Sequence, residues 1–572
     1  MNLTLEQKEI VESEGNIKIN AIAGSGKTST VVEYAMKRPK NSKILYLAFN
    51  RTVKDEAILK FKSKKINSVT VETAHSLAYK NIVFAYRYAV CKGYKAHELA
   101  KLLELEEESQ RHGAIILANH VNKLTALYCN SNKQKIQDVN YLSTLIEPQS
   151  IGFVTKYYEV ILEKTQIFLD KMDTNKIDIT HDFYLKKYQL SKPKLKYDYI
   201  LFDEGQDASE AMLDIFLNQK ATKIIVGDTH QQIYAWRYAI NSLEKTNFKT
   251  FSLSTSFRFN QAIASLASQT LELKQMIIKH KAFPIIGKGS NDKIQSKAII
   301  ARTNLGLLIN AIEYVIEDKK ANHIYFEGNI NSYTYAEDGA SLYDVLNLYE
   351  KKRHLIRDTL IKSMNDIEDL ETYVKQTEDV ELGMLVEIVK KYGSKIPKIL
   401  DEIKEKHIKS NNKKDAEIIF STVHRSKGME YDSVTLANDF IDEEKIQYLT
   451  DEYENKLVDR IIEEINLLYV AITRTTNKLY IPDNLVSPFY PKSDNIIIIP
   501  TSKEELNIDP KSDLAIEIQK THPNAFKSWT FEQEGLLRTY LKDKLSIKQI
   551  SIKLGRSTKS IRSRMKTLNL TD

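Results

Sequence analysis

The amino-acid sequence predicts an α/β protein with two parallel-sheet units, each interrupted by a mostly helical insertion, and a small three-helix module at the C-terminus. Three observations carry this prediction. Short apolar runs alternate with helical patterns over the first part of the chain, one of those runs stops on the adjacent carboxylates Asp203 and Glu204, and the alternation returns near Lys297. Strands alternating with helices imply parallel sheets covered on both faces, with ligands beyond the carboxyl ends of the strands.

The first unit is expected to hold strands at residues 17–23, 43–49, 68–72, 197–202 and 223–227. From 78 to about 196 these runs give way to Leu/Tyr/Glu/Lys segments of helical period, which reads as an insertion. The second unit opens with Ala298-Ile299-Ile300-Ala301 and resumes at residues 417–422 and 433–437, so 311–414 interrupts it. Pro488, Pro491, Pro500 and Pro510 mark 486–523 as a linker. The expected division is therefore 1–77 with 197–260, insertion 78–196, 261–310 with 415–485, insertion 311–414, linker 486–523, and module 524–572.

The C-terminal module has its own signals. Thr530 with Gln533, and Ser546 with Gln549, are capping-box patterns; Gly555 suits a helix stop and Ser557 a third cap. Trp529, Leu536, Leu537, Ile547, Ile550, Leu554, Ile561 and Leu568 supply one small core. From Lys527 onward there are 11 Lys/Arg against 4 Asp/Glu, which accounts for the whole net charge of +7. Arg556, Lys559, Arg562, Arg564 and Lys566 crowd the third helix, the element that helix-turn-helix proteins set into the major groove. The first four are candidate DNA contacts; the other reading is a docking or solubilising face.

Composition excludes several classes. Cys91 and Cys129 are far apart, and the 12 His residues show no metal-type spacing, so neither structural zinc nor an iron–sulfur cluster is expected. There is no apolar signal core at the N-terminus and no run near the roughly 20 apolar residues of a membrane span, which predicts a cytoplasmic protein without a membrane partner.

The chemistry begins at Ala23-Gly24-Ser25-Gly26-Lys27-Thr28-Ser29, a Gly-rich turn between a strand and a helix. Such a turn presents backbone N–H groups to phosphate, with Lys27 reaching the β/γ-phosphates and Thr28 holding Mg²⁺. Ala21 stands where the strict pattern has Gly. Asp203 and Glu204 end a second strand and should face the nucleotide, and together the two motifs predict ATP and Mg²⁺ as cofactors.

Read in order, the motifs resemble superfamily 1A helicases of the UvrD/Rep type, especially the group containing the F-box DNA helicases, although no F-box is evident. The resemblance runs from Leu3 to about Ile481. It implies two RecA-like motor domains and gives roles to individual residues. Gln7 matches the adenine-reading glutamine, Asp203 the Mg²⁺ acid, Glu204 the base that orients water, and Gln231 the γ-phosphate sensor. Phe257 matches the ring that stacks on adenine, Arg258 and Arg474 the two arginine fingers, and Glu430 the ribose partner. Phe49, Asn50, His75, Tyr234, Trp236, Arg237 and His424 match positions lining the single-strand track. Ser29 stands where relatives such as UvrD carry an adenine-stacking Arg; Gly205, Tyr238, Thr475 and Thr476 are further departures.

The resemblance thus implies an ATP-dependent helicase or translocase moving 3′ to 5′ on single-stranded DNA, with tailed or forked DNA as partner. A translocase that strips proteins from single strands, an ATPase switch on a DNA-binding regulator, and an RNA helicase remain the alternatives.

Overall fold

The computed structural model describes residues 3–105, 112–279, 283–291, 293–330, 341–408, 413–453, 457–487, 490–491, 493–501, 523–524, 529–543, 545, 547–556, 558–568 and 570. Within them lie fourteen named strands. Six form a wholly parallel sheet: β1 (Ile17–Ala21), β2 (Ile44–Ala48), β3 (Val69–Thr73), β4 (Tyr199–Phe202), β5 (Thr222–Gly227) and β6 (Lys249–Leu253), in the order β3-β2-β4-β5-β1-β6. β7 (Thr255–Ser256) and β8 (Ile286–Gly287) pair as a small parallel ribbon. The second large sheet holds β9 (Lys297–Ala301), β10 (Ile324–Phe326), β11 (Ile418–Thr422), β12 (Tyr431–Leu436), β13 (Thr475–Pro482) and β14 (Ile496–Ile499), in the order β10-β11-β9-β12-β13-β14.

The apolar runs become strands because both faces of each sheet are covered. Every residue of β2 and of β11 is buried, as expected for central parallel strands rather than for one-sided antiparallel ones. Parallel pairing also sets all the carboxyl ends of a sheet on one edge. In the first sheet Ala48 pairs with Thr73, and Leu47 with Phe202, so the loops after β2, β3 and β4 emerge together.

β6, β7, β8 and β13 were not among the expected strands, and two more strands fall inside segments expected to be an insertion and a linker. β10 lies within 311–414 and pairs with β11; β14 lies within 486–523 and pairs with β13. β10 is three residues long, too short for a period, and the four isoleucines of β14 sit between prolines that read as a linker. Both are edge strands, where an irregular flank is tolerated.

Between β3 and β4 the chain is helical, with long helices at Gly113–Asn130 and Pro148–Asp173. The segment between β10 and β11 is helical too, including Ile367–Thr377 and Val380–Tyr392. These two insertions dock on each other. Buried His120 bonds the Tyr141 hydroxyl at 2.7 Å and the Gln376 carbonyl at 3.2 Å, and the N–H groups of Ile146 and Glu147 both donate to Glu378 at 2.8 Å.

At the C-terminus, helices Phe531–Lys542, Ile547–Leu554 and Thr558–Thr567 close over Leu537, Ile547, Ile550, Leu554, Ile561 and Met565. Thr530 accepts from the Gln533 N–H at 3.2 Å. Leu536, expected inside, is exposed, and Met565 takes its place. Ser546 and Ser557 lie outside the described residues.

Candidate functional site

The turn after β1 crosses to the helix Lys27–Lys37 through Gly24 and Gly26, at φ 73° and 80°. Both lie in the left-handed region that only Gly enters without strain. Gly24 has a second reason to be Gly: a Cβ there would lie 2.5 Å from Arg258 Cβ and 2.7 Å from Ser256 Oγ. The Gly24 carbonyl accepts from the Phe257 N–H at 2.9 Å. Gly-rich loop and Phe257-Arg258 are therefore held together, with Phe257 half exposed beside them. Ser25 is buried and donates to the Ile22 carbonyl at 2.8 Å. Gln7, on the helix Leu5–Glu12, donates to Thr30 Oγ1 at 3.1 Å, against the same turn. Thr28 and Ser29 lie in the first turn of the Lys27 helix.

Lys27 Nζ donates to both oxygens of Glu204, at 2.9 and 3.0 Å. Burial works against the charged ammonium, but Glu204, Asp203 and Asp228 outweigh it and raise its pKa. For Glu204 burial opposes ionisation while Lys27 and Lys427 favour it, so this carboxyl is held below its ordinary range. Asp203 goes the other way, because burial and the neighbouring Glu204 charge both push it up. The Tyr46 hydroxyl donates to Asp203 Oδ2, and Glu204 N–H to Asp203 Oδ1 at 2.9 Å. Two adjacent carboxyls thus sit on opposite sides of their usual pKa: Lys27 holds Glu204 charged, and the Glu204 charge in turn disfavours ionisation of Asp203 for as long as no cation stands beside it. Glu204 adopts φ 52°, which turns its side chain back toward Lys27.

The second sheet closes the cleft. Arg258 donates to the Thr473 carbonyl at 3.0 Å and to Glu430 at 2.7 Å. Arg474 is 1% exposed. It donates to the Val470 carbonyl at 3.0 Å, the Met429 carbonyl at 3.4 Å and Thr473 Oγ1 at 3.3 Å. No carboxylate forms an ion pair with it among the described residues; burial and nearby Arg258 both depress its pKa. The Nε of Arg258 is also buried without a partner. With Glu430 on Arg258 and no carboxylate on Arg474, the pair leaves one positive charge to be met by an anion.

Gln231 donates to Asp228 Oδ2 at 2.7 Å. Four residues beside these had no assigned role in the sequence. Tyr469 donates to Asp228 Oδ2 at 3.1 Å, and Lys427 pairs with buried Asp207 while donating to the Gln231 carbonyl at 2.7 Å. Asp207 was visible as the last acid of Asp-Glu-Gly-Gln-Asp, and Lys427 as a charge next to Glu430. Tyr469 and Asp228 carried no signal beyond an apolar pattern and a strand end.

The residues present fit a nucleoside triphosphate with Mg²⁺. The glycines leave room, Arg474 has no carboxylate partner among the described residues, and Thr28 and Asp203 are the groups that would hold the metal. Among the described residues no cluster of three or more His, Cys, Asp or Glu side chains could hold a metal by itself. That suits Mg²⁺, which takes one or two carboxylates plus phosphate and water.

On the same edge the aromatic residues gather. Phe49 and Tyr234 stack at 5.9 Å with planes 20° apart. His424 lies 5.8 Å from Tyr234 and 6.2 Å from Trp236. Arg237 caps the Trp236 ring at 4.7 Å and Lys427 the Tyr234 ring at 4.9 Å. Trp236 is exposed. His424 Nε2 donates to the Ile233 carbonyl at 3.0 Å, and burial holds its pKa down at about 4. Asn50 caps the helix Arg51–Ser63, accepting from the Val53 N–H at 2.9 Å. His75 faces Tyr184 edge-on at 5.9 Å, with its pKa lowered to about 4 by burial.

Residues 3–252 match the model of the UvrD/REP helicase N-terminal domain. The chain carries a UvrD/REP helicase domain. F-box DNA helicase 1 of Gallus gallus is 30% identical over 515 residues, 85% of this chain and 49% of that protein. F-box DNA helicase protein 1 of Schizosaccharomyces pombe is 29% identical over 84% of this chain and 58% of its own length. The ATP-dependent DNA helicase Rep of Buchnera aphidicola is 23% identical over 51% of this chain and 49% of its own. The chain thus spans about half the length of these relatives.

Beyond the helicase domain, the basic C-terminal residues divide. Arg556 is 2% exposed, stacks on Trp529 at 4.4 Å and donates to Gln533 at 2.7 Å. It is a core residue of the three-helix module, not a surface one. Arg564 pairs with Glu534 and also lies over Trp529, at 5.9 Å. Arg562 is partly exposed. The side chain of Lys559 lies outside the described residues. No helix of the described residues is long and apolar enough to cross a membrane.

Proposed function

We propose that this chain is an ATP-hydrolysing motor that moves 3′ to 5′ along single-stranded DNA and separates duplexes. The observation that carries the reading is the buried Arg474, presented by the second sheet to a cleft that already holds Lys27, Glu204 and Arg258. A guanidinium without a carboxylate partner is costly unless an anion meets it. Bound nucleoside triphosphate with Mg²⁺ supplies the phosphoanhydride whose hydrolysis drives the motor.

Each side chain then has a task. Lys27 withdraws from Glu204 toward phosphate, which frees the carboxylate to orient water and take its proton. Asp203 and Thr28 hold the metal, Gln231 reports the terminal phosphate, Gln7 and Phe257 flank the base, and Glu430 meets the ribose once Arg258 turns inward. Arginine fingers neutralise charge as it develops and can contribute about 10³-fold or more in rate. Because Arg474 and Arg258 lie on either side of the cleft, hydrolysis and relative movement of the two sheets are coupled.

Residues 1–77 with 197–260 and 261–310 with 415–485 act as the two motor domains, with β10 and β14 added to the second. Phe49, Tyr234 and Trp236 offer faces on which bases stack without sequence demand. Tailed or forked DNA is the substrate. The module 524–572, of helix-turn-helix type and similar to Myb-like modules, adds affinity through Arg562 and Lys559 rather than Arg556.

The test is strand displacement by the purified chain on 3′-tailed and 5′-tailed DNA and RNA duplexes, beside Lys27→Ala and Glu204→Gln. Displacement of 3′-tailed DNA, lost in both variants, is the expected result. Turnover that survives in both would overturn the site; a 5′ preference would overturn the polarity, and equal action on RNA the substrate. Turnover with no displacement would leave the protein-stripping translocase.

A further inference from the structure

A second series of rings continues the first onto the helical insertion. β3 lies beside β2, and His75 follows β3 as Phe49 follows β2. From His75 the rings step to Tyr184 at 5.9 Å, to Tyr79 at 5.8 Å and to Phe84 at 5.2 Å, all edge-to-face. Tyr86, stacked on Tyr88 at 5.6 Å, stands alongside.

The outer members of this series are not packed. Phe84 is 68% exposed and Tyr86 55% exposed. A single exposed aromatic is ordinary, but clustered exposed rings mark an interaction surface. The backbone here is also irregular: residues Tyr79–Val83 form a turn of π-helix, and the helix ends at Arg87 with φ 54°. π-Helical turns interrupt the ordinary hydrogen-bond ladder and recur at functional sites.

Charge says what covers the rings. Lys187 lies 4.7 Å over Tyr86, with its second partner Asp173 beside it. Arg87 is exposed and makes no hydrogen bond or ion pair among the described residues. Lys80, next to Tyr79, pairs with Glu72. Rings interleaved with cations suit a single strand, whose bases stack while its phosphates meet Lys and Arg. An apolar protein segment would gain nothing from Arg87 and Lys187.

We infer that Phe84 and Tyr86 extend the single-strand track beyond His75 onto the first helical insertion, taking bases on their rings while Arg87 takes phosphate. This rests on the proposed single-strand motor and adds a subsite to it. Track length, and with it the number of nucleotides held per chain, follows from the position of Phe84.

The full chain is titrated by fluorescence anisotropy with oligothymidines of about 6 and about 20 nucleotides, lengths that bracket a typical single-strand footprint. Phe84→Ala/Tyr86→Ala should weaken the long strand roughly five- to hundredfold and leave the short one unchanged. Phe84→Trp should retain long-strand affinity, since it keeps a stacking face. The melting temperature should move little, because both rings are more than half exposed. Unchanged long-strand affinity in the double variant would overturn the inference while leaving the motor intact, and so would an equal loss on both lengths. If the unsubstituted chain bound neither strand, the motor reading itself would fall.

Discussion

The Tyr469 hydroxyl, carried by the second sheet's helix Val458–Ile472, donates to Asp228 Oδ2 of the first sheet at 3.1 Å. One phenol therefore ties the loop holding Gln231 to the opposite lobe. Burial first, then Asp228, pushes this phenol far above its usual pKa, so it stays a neutral donor. Tyr469→Phe removes only that bond, a charge-assisted one whose loss costs about 1.5–3 kcal/mol. Strand-stimulated turnover should fall several-fold while strand affinity holds, in parallel ATPase and anisotropy titrations. A variant with unchanged stimulated turnover would show that the bridge has no part in coupling.

The Lys27–Glu204 pair makes a second prediction. Glu204 is held ionised by Lys27, hence a poor base until that ammonium leaves. Glu204→Gln should cut turnover by about 10²–10⁴, the range for a lost general base, while a fluorescent nucleotide still binds. Lys27→Ala should lose both. Equal loss of binding in the two variants would mean that Glu204 holds the nucleotide rather than acting on water.

How much of this was legible in the sequence depends on how local the cause is. The strand ends carrying Lys27, Asp203 and Glu204 were readable, because a Gly-rich turn and an apolar run ending on acids are contiguous signals. β14 was hidden by its flanking prolines, and β10 by its length. Tyr469 and Lys427 act only through partners more than 190 residues away, Gln231 being 196 residues from Lys427, and no spacing rule reaches that far. Arg556 was misplaced because charge was read as exposure, whereas its guanidinium lies flat on Trp529 inside the module.

Arg474 predicts a divergence of stability and activity. Its buried charge without a carboxylate partner is a liability to the fold, and apolar replacements of such groups are often neutral or stabilising. Arg474→Met should keep or raise the melting temperature and lower turnover about 10³-fold. A large fall in melting temperature would show that the bonds to Val470 and Met429 matter more to folding than the charge matters to catalysis.

The C-terminal module offers a paired comparison. Arg556→Ala removes a buried cation–π contact and the bond to Gln533, worth about 1–3 kcal/mol together, so the helices 531–567 should lose protection in hydrogen exchange. Arg562→Ala should leave exchange unchanged and lower the salt slope of DNA binding by about one phosphate contact. The reverse pattern would put Arg556 at the nucleic acid and remove the structural role assigned to it.

The last prediction concerns pH at the contact between the two insertions. His120 is fully buried, and burial, then Lys123, hold its pKa at about 4 against an ordinary 6.5. Its folded-state pKa is depressed, so the unfolded chain binds a proton first as pH falls below 6.5. Stability is therefore full above about pH 6.5 and is lost down to about pH 4, by roughly 3 kcal/mol for this one group. Asp207, raised to about 6 by burial, takes up its proton more readily in the folded chain and opposes that loss in the same window. The informative quantity is therefore the difference between the chain and His120→Gln, which keeps polar contacts to Tyr141 and Gln376 without titrating. Chemical denaturation at pH 7 and pH 4.5 should show a steeper loss for the unsubstituted chain. Parallel losses would mean that His120 is already protonated when folded, with its charge met by the Tyr141 hydroxyl and the Gln376 carbonyl.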